Sequence, residues 1–122
     1  MKKEELLVSL NEKIEAQIPL RLDAEYGELI LTATKVLFIV PNREHWIFRR
    51  EWKKIALSAW SLRSGVFGKK LILYFKLEIM IFHQPPADIN FWKIFSGIDV
   101  RLSSWNDGYW QYYLQKALHK KH

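Results

Sequence analysis

The spacing of apolar residues predicts a helix at the start of the chain, followed by strands. Apolar residues first recur at helical spacing, with glutamate and lysine on the other side, which is typical of an amphipathic helix over residues 1–16. Its apolar face consists of Leu6, Leu7, Leu10 and Ile14. Pro19 argues against a longer helix. From Ile18 onward, apolar and polar residues alternate, which indicates half-buried strands.

Short runs rich in β-branched and aromatic residues predict about seven strands between residues 17 and 83. Gly27 is expected to form the first turn, and a tight hairpin is expected around Lys76. The runs Trp46–Arg49 and Trp52–Leu57 are expected to be separate strands. The strand-rich part of the chain should therefore form an antiparallel sheet.

Helical spacing returns after Gln84, and residues 87–121 are expected to be mainly helical. Asp88 is the expected N-cap of a helix whose apolar positions share one face. These positions are Phe91, Ile94, Phe95 and Ile98. A second helix is expected to begin at Ser103 or Ser104 and to carry a broad aromatic face.

Two stretches resemble bacterial pleckstrin-homology-like and GRAM-type domains. From Gly27 to Ile39 the chain has a glycine, alternating apolar residues, a threonine turn with a basic residue, and an apolar run containing Phe38. These features are similar to the second and third strands of such domains. The stretch from Trp52 to Trp60 is similar to the one before their fifth strand. The resemblance covers roughly residues 17–98 and rests on structural motifs.

This resemblance implies a single α+β domain, mainly β, with about seven antiparallel strands in two near-orthogonal sheets capped by a C-terminal helix. The domain would span residues 1–122, with an N-terminal helix over 1–16, a β-barrel over 17–83 and a helical part over 87–121. Additional amphipathic helices would flank the barrel at both ends. The resemblance assigns the plug of the barrel to Phe91, Trp92, Ile94 and Phe95.

For function, the resemblance implies a non-catalytic binding or scaffolding module, because such domains bind phosphoinositides, other lipids or proteins. Lipid-binding members place lysine and arginine in the first strand and the loop after it. Here this region holds Asp23, Glu25 and Glu28, with Arg21 as its one base. Since like charges repel, the sequence predicts no phosphoinositide site at that loop.

The composition is that of one globular domain in a reducing compartment. The chain has 122 residues, 49% of them hydrophobic, which is enough for one core. It has no cysteine, which excludes disulfides, thiolate zinc sites and thiol nucleophiles. Because no basic and apolar leader is visible and the apolar runs are far shorter than the roughly 20 residues of a membrane span, we expect a cytoplasmic location, at most peripheral to a membrane.

Charge is distributed unevenly along the chain, which carries a net +6. The first 28 residues contain four bases and seven acids, a balance of −3, so the remainder carries +9. An anionic partner should therefore bind the later part of the chain.

The leading candidate site for an anion or partner is a basic and aromatic run with Trp46 and Trp52. Its bases are Arg43, Arg49, Arg50, Lys53 and Lys54, joined by Lys69 and Lys70. The arginine and lysine side chains could neutralise phosphates while exposed tryptophan rings stack on nucleobases or sit in the interfacial layer of a bilayer. Strand alternation instead places Arg49 and Lys53 on one face with both tryptophans opposite, which gives solvated charges and buried rings and is the favoured interpretation.

A second candidate surface consists of aromatic residues near the C-terminus. These are Trp105, Tyr109, Trp110 and Tyr113. They lie on more than one side of the predicted helix, so they either pack on the sheet or dock against another subunit. Self-association is therefore an open alternative.

The residues that could support catalysis form no recognisable set. The four histidines have no carboxylate at metal-ligand spacing, the serines fit no nucleophile motif, and the Gly65–Gly68 region is too short for a phosphate-binding loop. The sequence thus predicts no metal, cofactor or enzymatic activity. It favours a pleckstrin-homology-like module acting through protein contacts or self-association, with weak attraction to anionic membranes, and leaves nucleic-acid binding as the alternative.

Overall fold

The computed structural model describes residues 1–66 and 68–101 and is mainly β with few helices, which confirms the coarse fold class. The helices are α1 (Lys3–Val8), a 3-10 helix (Lys54–Ala56) and α2 (Phe91–Ile94). The strands are β1 (Ala16–Leu22), β2 (Glu25–Leu31), β3 (Lys35–Asn42), β4 (His45–Lys53), β5 (Leu57–Gly65), β6 (Gly68–Phe75), β7 (Ile79–His83) and β8 (Asp99–Val100).

All of these strands belong to one open sheet in the order β4-β3-β2-β1-β7-β6-β5-β8. Two antiparallel meanders, β1 to β4 and β5 to β7, make up most of it. The meanders join where β1 pairs with β7 through only two residue pairs, Arg21 with His83 and Leu22 with Phe82. β8 lies parallel to β5.

One face of the sheet, here called the inner face, surrounds the main hydrophobic core. Strands β1 to β7 and α2 all contribute buried side chains to this single cluster, including Leu20, Phe38, Trp60 and Phe82. Since strands from both halves of the sheet pack on the same cluster, the sheet curves around it. The opposite face is called the outer face.

A polar contact connects the β4 edge of the sheet to the turn between β6 and β7. Glu78 in that turn accepts hydrogen bonds from Arg50 Nη2 and Trp52 Nε1, both at 2.6 Å. The Trp52 ring also stacks on Phe75, with centroids 4.8 Å apart. The turn around Lys76, as predicted, is therefore held against β4.

Helix α1 packs on the outer face of the first meander. Leu6 is buried against Ile30, Leu37 and Ile39, and Lys3 forms an ion pair with Glu28 at 2.7 Å. The first helix thus covers its own sheet.

The helix predicted over residues 1–16 is shorter in the structure. It ends at Val8, where the Ser9 hydroxyl donates to the Leu6 carbonyl at 2.6 Å. Asn11 then adopts a positive φ of 53°, which asparagine tolerates better than most residues. Leu10 and Ile14 still contact the outer cluster, so the apolar spacing is satisfied without a continuous helix.

The prediction of a turn at Gly27 is wrong, because Gly27 lies within β2 opposite Leu20. The turn is formed by Asp23 and Ala24, and Asp23 supplies the positive φ of 53°. Gly27 is required for close packing: a Cβ there would lie 2.1 Å from the Ile39 carbonyl oxygen.

The two strands predicted over residues 46–57 are one strand, β4, followed by the 3-10 helix. The pairing of β4 with β3 shifts register, since Ile39 pairs with Phe48 and Phe38 pairs with Arg50. Arg49 is the additional residue of this bulge, and a bulge reverses the alternation of faces. Trp46 therefore contacts the outer cluster and Trp52 the inner core, which corrects the prediction that both share a face.

Near the C-terminus of the described part, α2 comprises four residues and its N-cap is Asn90. The predicted cap, Asp88, is wrong, because the Asn90 side chain accepts from the Lys93 amide at 3.2 Å. Phe91 and Phe95 are buried in the core. The second predicted helix, with Trp105, Tyr109, Trp110 and Tyr113, lies outside the described residues.

Candidate anion-binding surface

The bases of the predicted basic and aromatic run do not share one surface. Arg43 occupies the turn between β3 and β4, whereas Lys53 ends β4, roughly 30 Å away along the strand. Lys69 and Lys70 lie on β6, in the other meander. The run is therefore contiguous in sequence and dispersed in the fold.

Three bases of this run already have carboxylate partners. The ion pairs are Arg49 with Glu25 at 3.0 Å, Arg50 with Glu78 at 2.6 Å and Lys54 with Glu15 at 3.2 Å. The ring that would stack beside them, Trp52, is only 8% exposed. Their positive charge is thus largely compensated within the chain.

A different set of bases forms a line across the outer face, here called the basic row. Its members are Arg21 on β1, His83 on β7, Lys70 on β6 and Arg63 on β5. Arg21 pairs with His83, His83 with Lys70, and Lys70 with Arg63 in the strand register. Side chains directly opposite each other on neighbouring strands have Cβ atoms about 5 Å apart, so the row spans about 15 Å.

The neighbours of the row in the chain determine which face it occupies. Each member lies next to a core residue that points inward. These core residues are Leu22, Phe82, Leu71 and Leu62. Because successive side chains of a strand point to opposite faces, all members of the basic row point to the outer face.

The arginine and lysine side chains of the basic row are not engaged in the ion pairs of the described residues. Within residues 1–66 and 68–101, no ion pair with a carboxylate is formed by Arg21, Lys70 or Arg63. Arg21 donates to the Asp23 backbone carbonyl and lies 6.0 Å from the Tyr26 ring centroid. An incoming anion therefore has no ion pair to displace.

His83 responds to its position in the row. Burial lowers the pKa of His83 below its ordinary value, and the positive charges of Arg21 and Lys70 lower it further, against an opposing effect of Asp23. A bound anion would remove part of this repulsion and favour the protonated imidazole.

Exposed aliphatic side chains lie beside the basic row on β7. Ile79 and Ile81 alternate with His83 on the outer face and are 58% and 43% exposed, and Leu77 in the preceding turn is 98% exposed. We call these three residues the apolar strip. Its separation from the row along β7 is about 7 Å, two residues of a strand.

A groove of about 550 Å³ lies between α2 and the strands, lined in part by Glu15, Lys54, Asn90 and Lys93. Of its three charged lining residues, Glu15 and Lys54 already pair with each other at 3.2 Å, which leaves Lys93. The groove thus offers a small-molecule site less charge than the basic row offers an anion.

The histidines of the described part do not form a metal centre. His45 Nδ1 lies 2.6 Å from the Met1 nitrogen, and His83 belongs to the basic row. Among the described residues, no group of three or more histidine, aspartate or glutamate side chains could hold a metal ion. His119 and His122 lie outside them.

Sequence reasoning missed Arg21, Arg63 and His83 as members of one site. Each is an isolated base beside an apolar residue near the end of a strand, which resembles an ordinary solvated position. Only the pairing of β1 with β7 aligns them. The signal would have been the alternation within each strand combined with the correct register.

Comparisons with family models, curated protein sequences and solved structures gave no significant match. No helix of the described part is long and apolar enough to cross a bilayer.

Proposed function

We propose that the chain is a non-catalytic binding module with a pleckstrin-homology-like fold, which recognises an anionic partner through the basic row. The observation that carries the proposal is the alignment of Arg21, His83, Lys70 and Arg63 on the outer face, without ion pairs to carboxylates among the described residues. The module would act in the cytoplasm.

Several features support the pleckstrin-homology-like part of this proposal. The two meanders meet at only two residue pairs, which suits a sharp change of direction into two near-orthogonal sheets. The Glu78 contacts bring the far turn of one meander to the edge strand of the other. Phe91 and Phe95 are buried in the core, as the plug of such a barrel would be.

The non-catalytic part is supported by the roles of the polar groups in and around the core. Buried Thr32 accepts from the Lys35 amide at 3.0 Å and thereby closes the turn between β2 and β3. Buried Ser61 lies 3.3 Å from the Tyr74 hydroxyl, and Glu78 receives two donors. These groups stabilise the fold and have no geometry suited to attack on a substrate.

The basic row suits a partner with an extended negative surface, such as an acidic protein or an anionic bilayer. A line of bases about 15 Å long across a sheet face matches an extended surface better than a small molecule. Self-association through Trp105, Tyr109, Trp110 and Tyr113 remains a separate prediction, because those residues lie outside the described part.

Elution by salt from immobilised heparin, a polyanion without an acyl chain, tests the role of the basic row. The test variant is Arg63→Gln with Lys70→Gln, and the matched control is Arg43→Gln with Lys53→Gln, which removes the same charge from the predicted run. We expect the test variant to elute at clearly lower salt than the control.

Equal elution of the two variants would overturn the proposal, because net charge alone would then explain retention. If Lys70→Gln impairs folding, the single exposed substitution Arg63→Gln compared with Arg43→Gln decides the question. A circular-dichroism melt establishes which variants are folded.

A further inference from the structure

We infer that the anionic partner is a lipid bilayer, which the basic row and the apolar strip contact together. This inference rests on the proposed function and adds the identity of the partner. The row would lie among the lipid phosphates, while Ile79 and Ile81 would reach the boundary between headgroups and acyl chains.

The placement of charge and apolar surface on one face supports a bilayer. His83, Ile81 and Ile79 follow one another on the outer side of β7, so the change from basic to apolar occurs within a single strand. Ile81 pairs with Ile72, and Ile79 with Tyr74, on the neighbouring strand β6. Ile72 and Tyr74 are themselves only 5% and 7% exposed, so the two exposed isoleucines form the accessible border of an apolar area on the outer face.

The pairing of β7 leaves the strip accessible. β1 pairs with β7 only at Phe82 and His83, so the β1 side of Ile79–Ile81 has no paired strand within the described residues. Single exposed apolar residues are common on proteins, but here they adjoin a line of bases that form no ion pair with a carboxylate in the described part of the chain. This combination is what an interfacial membrane contact requires.

A nucleic acid fits the same face less well. Stacking on bases needs aromatic rings, and the exposed residues beside the row are aliphatic, apart from Tyr26 at its β2 end. Aliphatic side chains are stabilised by transfer from water into hydrocarbon, and they do not stack on nucleobases. The chemistry of the strip therefore separates the two partners.

Sedimentation with vesicles tests the inference on the full chain. Vesicles of phosphatidylcholine alone are compared with vesicles that contain about 30% phosphatidylserine. We expect binding only to the anionic vesicles, weakening as ionic strength rises. Arg63→Gln with Lys70→Gln should weaken it about 30-fold, and Arg43→Gln with Lys53→Gln much less.

The contribution of the apolar strip is tested with the double variant Ile79→Ser and Ile81→Ser. The matched control is Phe48→Ser with Ile55→Ser, which removes exposed apolar side chains elsewhere. We expect the β7 variant to lose at least about tenfold in vesicle affinity, with unchanged elution from heparin, and the control to retain vesicle binding. A circular-dichroism melt establishes that the β7 variant is folded.

Other outcomes would separate the lipid inference from the proposed function. If the wild-type protein does not bind anionic vesicles but the row variant elutes from heparin at lower salt than its control, the lipid inference fails and the proposed function stands. If the β7 variant binds vesicles as wild type does, or if an oligonucleotide binds in preference to vesicles, the inference also fails. If the heparin test fails as well, both proposals fall.

Discussion

At the scale of single residues, Glu78 links the turn between β6 and β7 to the edge strand β4. Its bonds from Arg50 and Trp52 hold the pKa of the carboxyl below its usual value, so the charged form stabilises the fold. We expect Glu78→Gln to lower the free energy of unfolding at pH 7 by about 1 kcal/mol, since the group is partly exposed and one charged partner is lost. Urea unfolding measures this difference.

The stabilisation by Glu78 is expected to depend on pH. A lowered folded-state pKa contributes stability above the ordinary value of 4.5 and loses it as pH falls through the folded pKa. The difference between wild type and Glu78→Gln should therefore shrink in acid. Glu51→Gln, at a more exposed ion pair with Lys35, is the control and should change stability little. A pH-independent difference would contradict the account.

His83 is expected to make stability depend on pH in the range near neutrality. Burial first, then Arg21 and Lys70, lower its pKa below 6.5, so the unfolded chain binds the proton more readily than the folded one. The free energy of unfolding should therefore fall as pH decreases from above 6.5 through the folded pKa. His83→Gln should flatten this slope. The measurement is the free energy of unfolding of both proteins at a series of pH values. An equal pH dependence in wild type and His83→Gln would refute the lowered pKa of His83.

Gly27 tests the close approach of β2 and β3. An added Cβ would lie 2.1 Å from a backbone oxygen, which cannot move aside as a flexible side chain would. We expect Gly27→Ala to destabilise the protein by about 3 kcal/mol. Gly65→Ala is the control, because its Cβ would lie no closer than 3.8 Å to the Gly68 oxygen. Thermal melting of both variants measures the contrast, and a small equal change in both would be inconsistent with this packing.

At the scale of elements, the local alternation of apolar and polar residues predicts where the strands lie. It does not predict which face of the sheet each side chain occupies. The runs that became β3, β5 and β6 were predictable because apolar and β-branched residues are dense there. The bulge at Arg49 was not predictable, since one additional residue leaves the local pattern unchanged and reverses every face beyond it. This is why simple alternation along the sequence predicts one face for Trp46 and Trp52.

Helix α1 is expected to stabilise the first meander although it has only six residues. A helix this short is not stable alone, so its order depends on packing against β2 and β3. Leu6→Ala should reduce the free energy of unfolding by about 2–4 kcal/mol, because Leu6 is 4% exposed. Val8→Ala, at a residue 78% exposed, should have little effect. Chemical unfolding checks both, and equal effects would show that α1 does not cover the sheet.

At the scale of the whole molecule, the sequence predicted the mainly β class but not the candidate site. The basic row depends on two residue pairs between β1 and β7, which are about 60 residues apart in the chain. Local patterns carry no information about such a pairing. The predicted basic run shows the converse, because neighbours in sequence such as Arg49 and Arg50 pair with carboxylates from different parts of the fold.

The central claim is that the outer face of β1, β7, β6 and β5 is the surface that contacts an anionic bilayer. The most direct measurement is residue-resolved NMR of the labelled protein titrated with lipid nanodiscs containing phosphatidylserine. We expect signal loss to concentrate at Arg21, Arg63, Lys70, Ile81 and His83, and to be absent with neutral nanodiscs. Signal loss confined to β4 around Arg43 to Lys54, or no response to anionic lipid, would contradict the account.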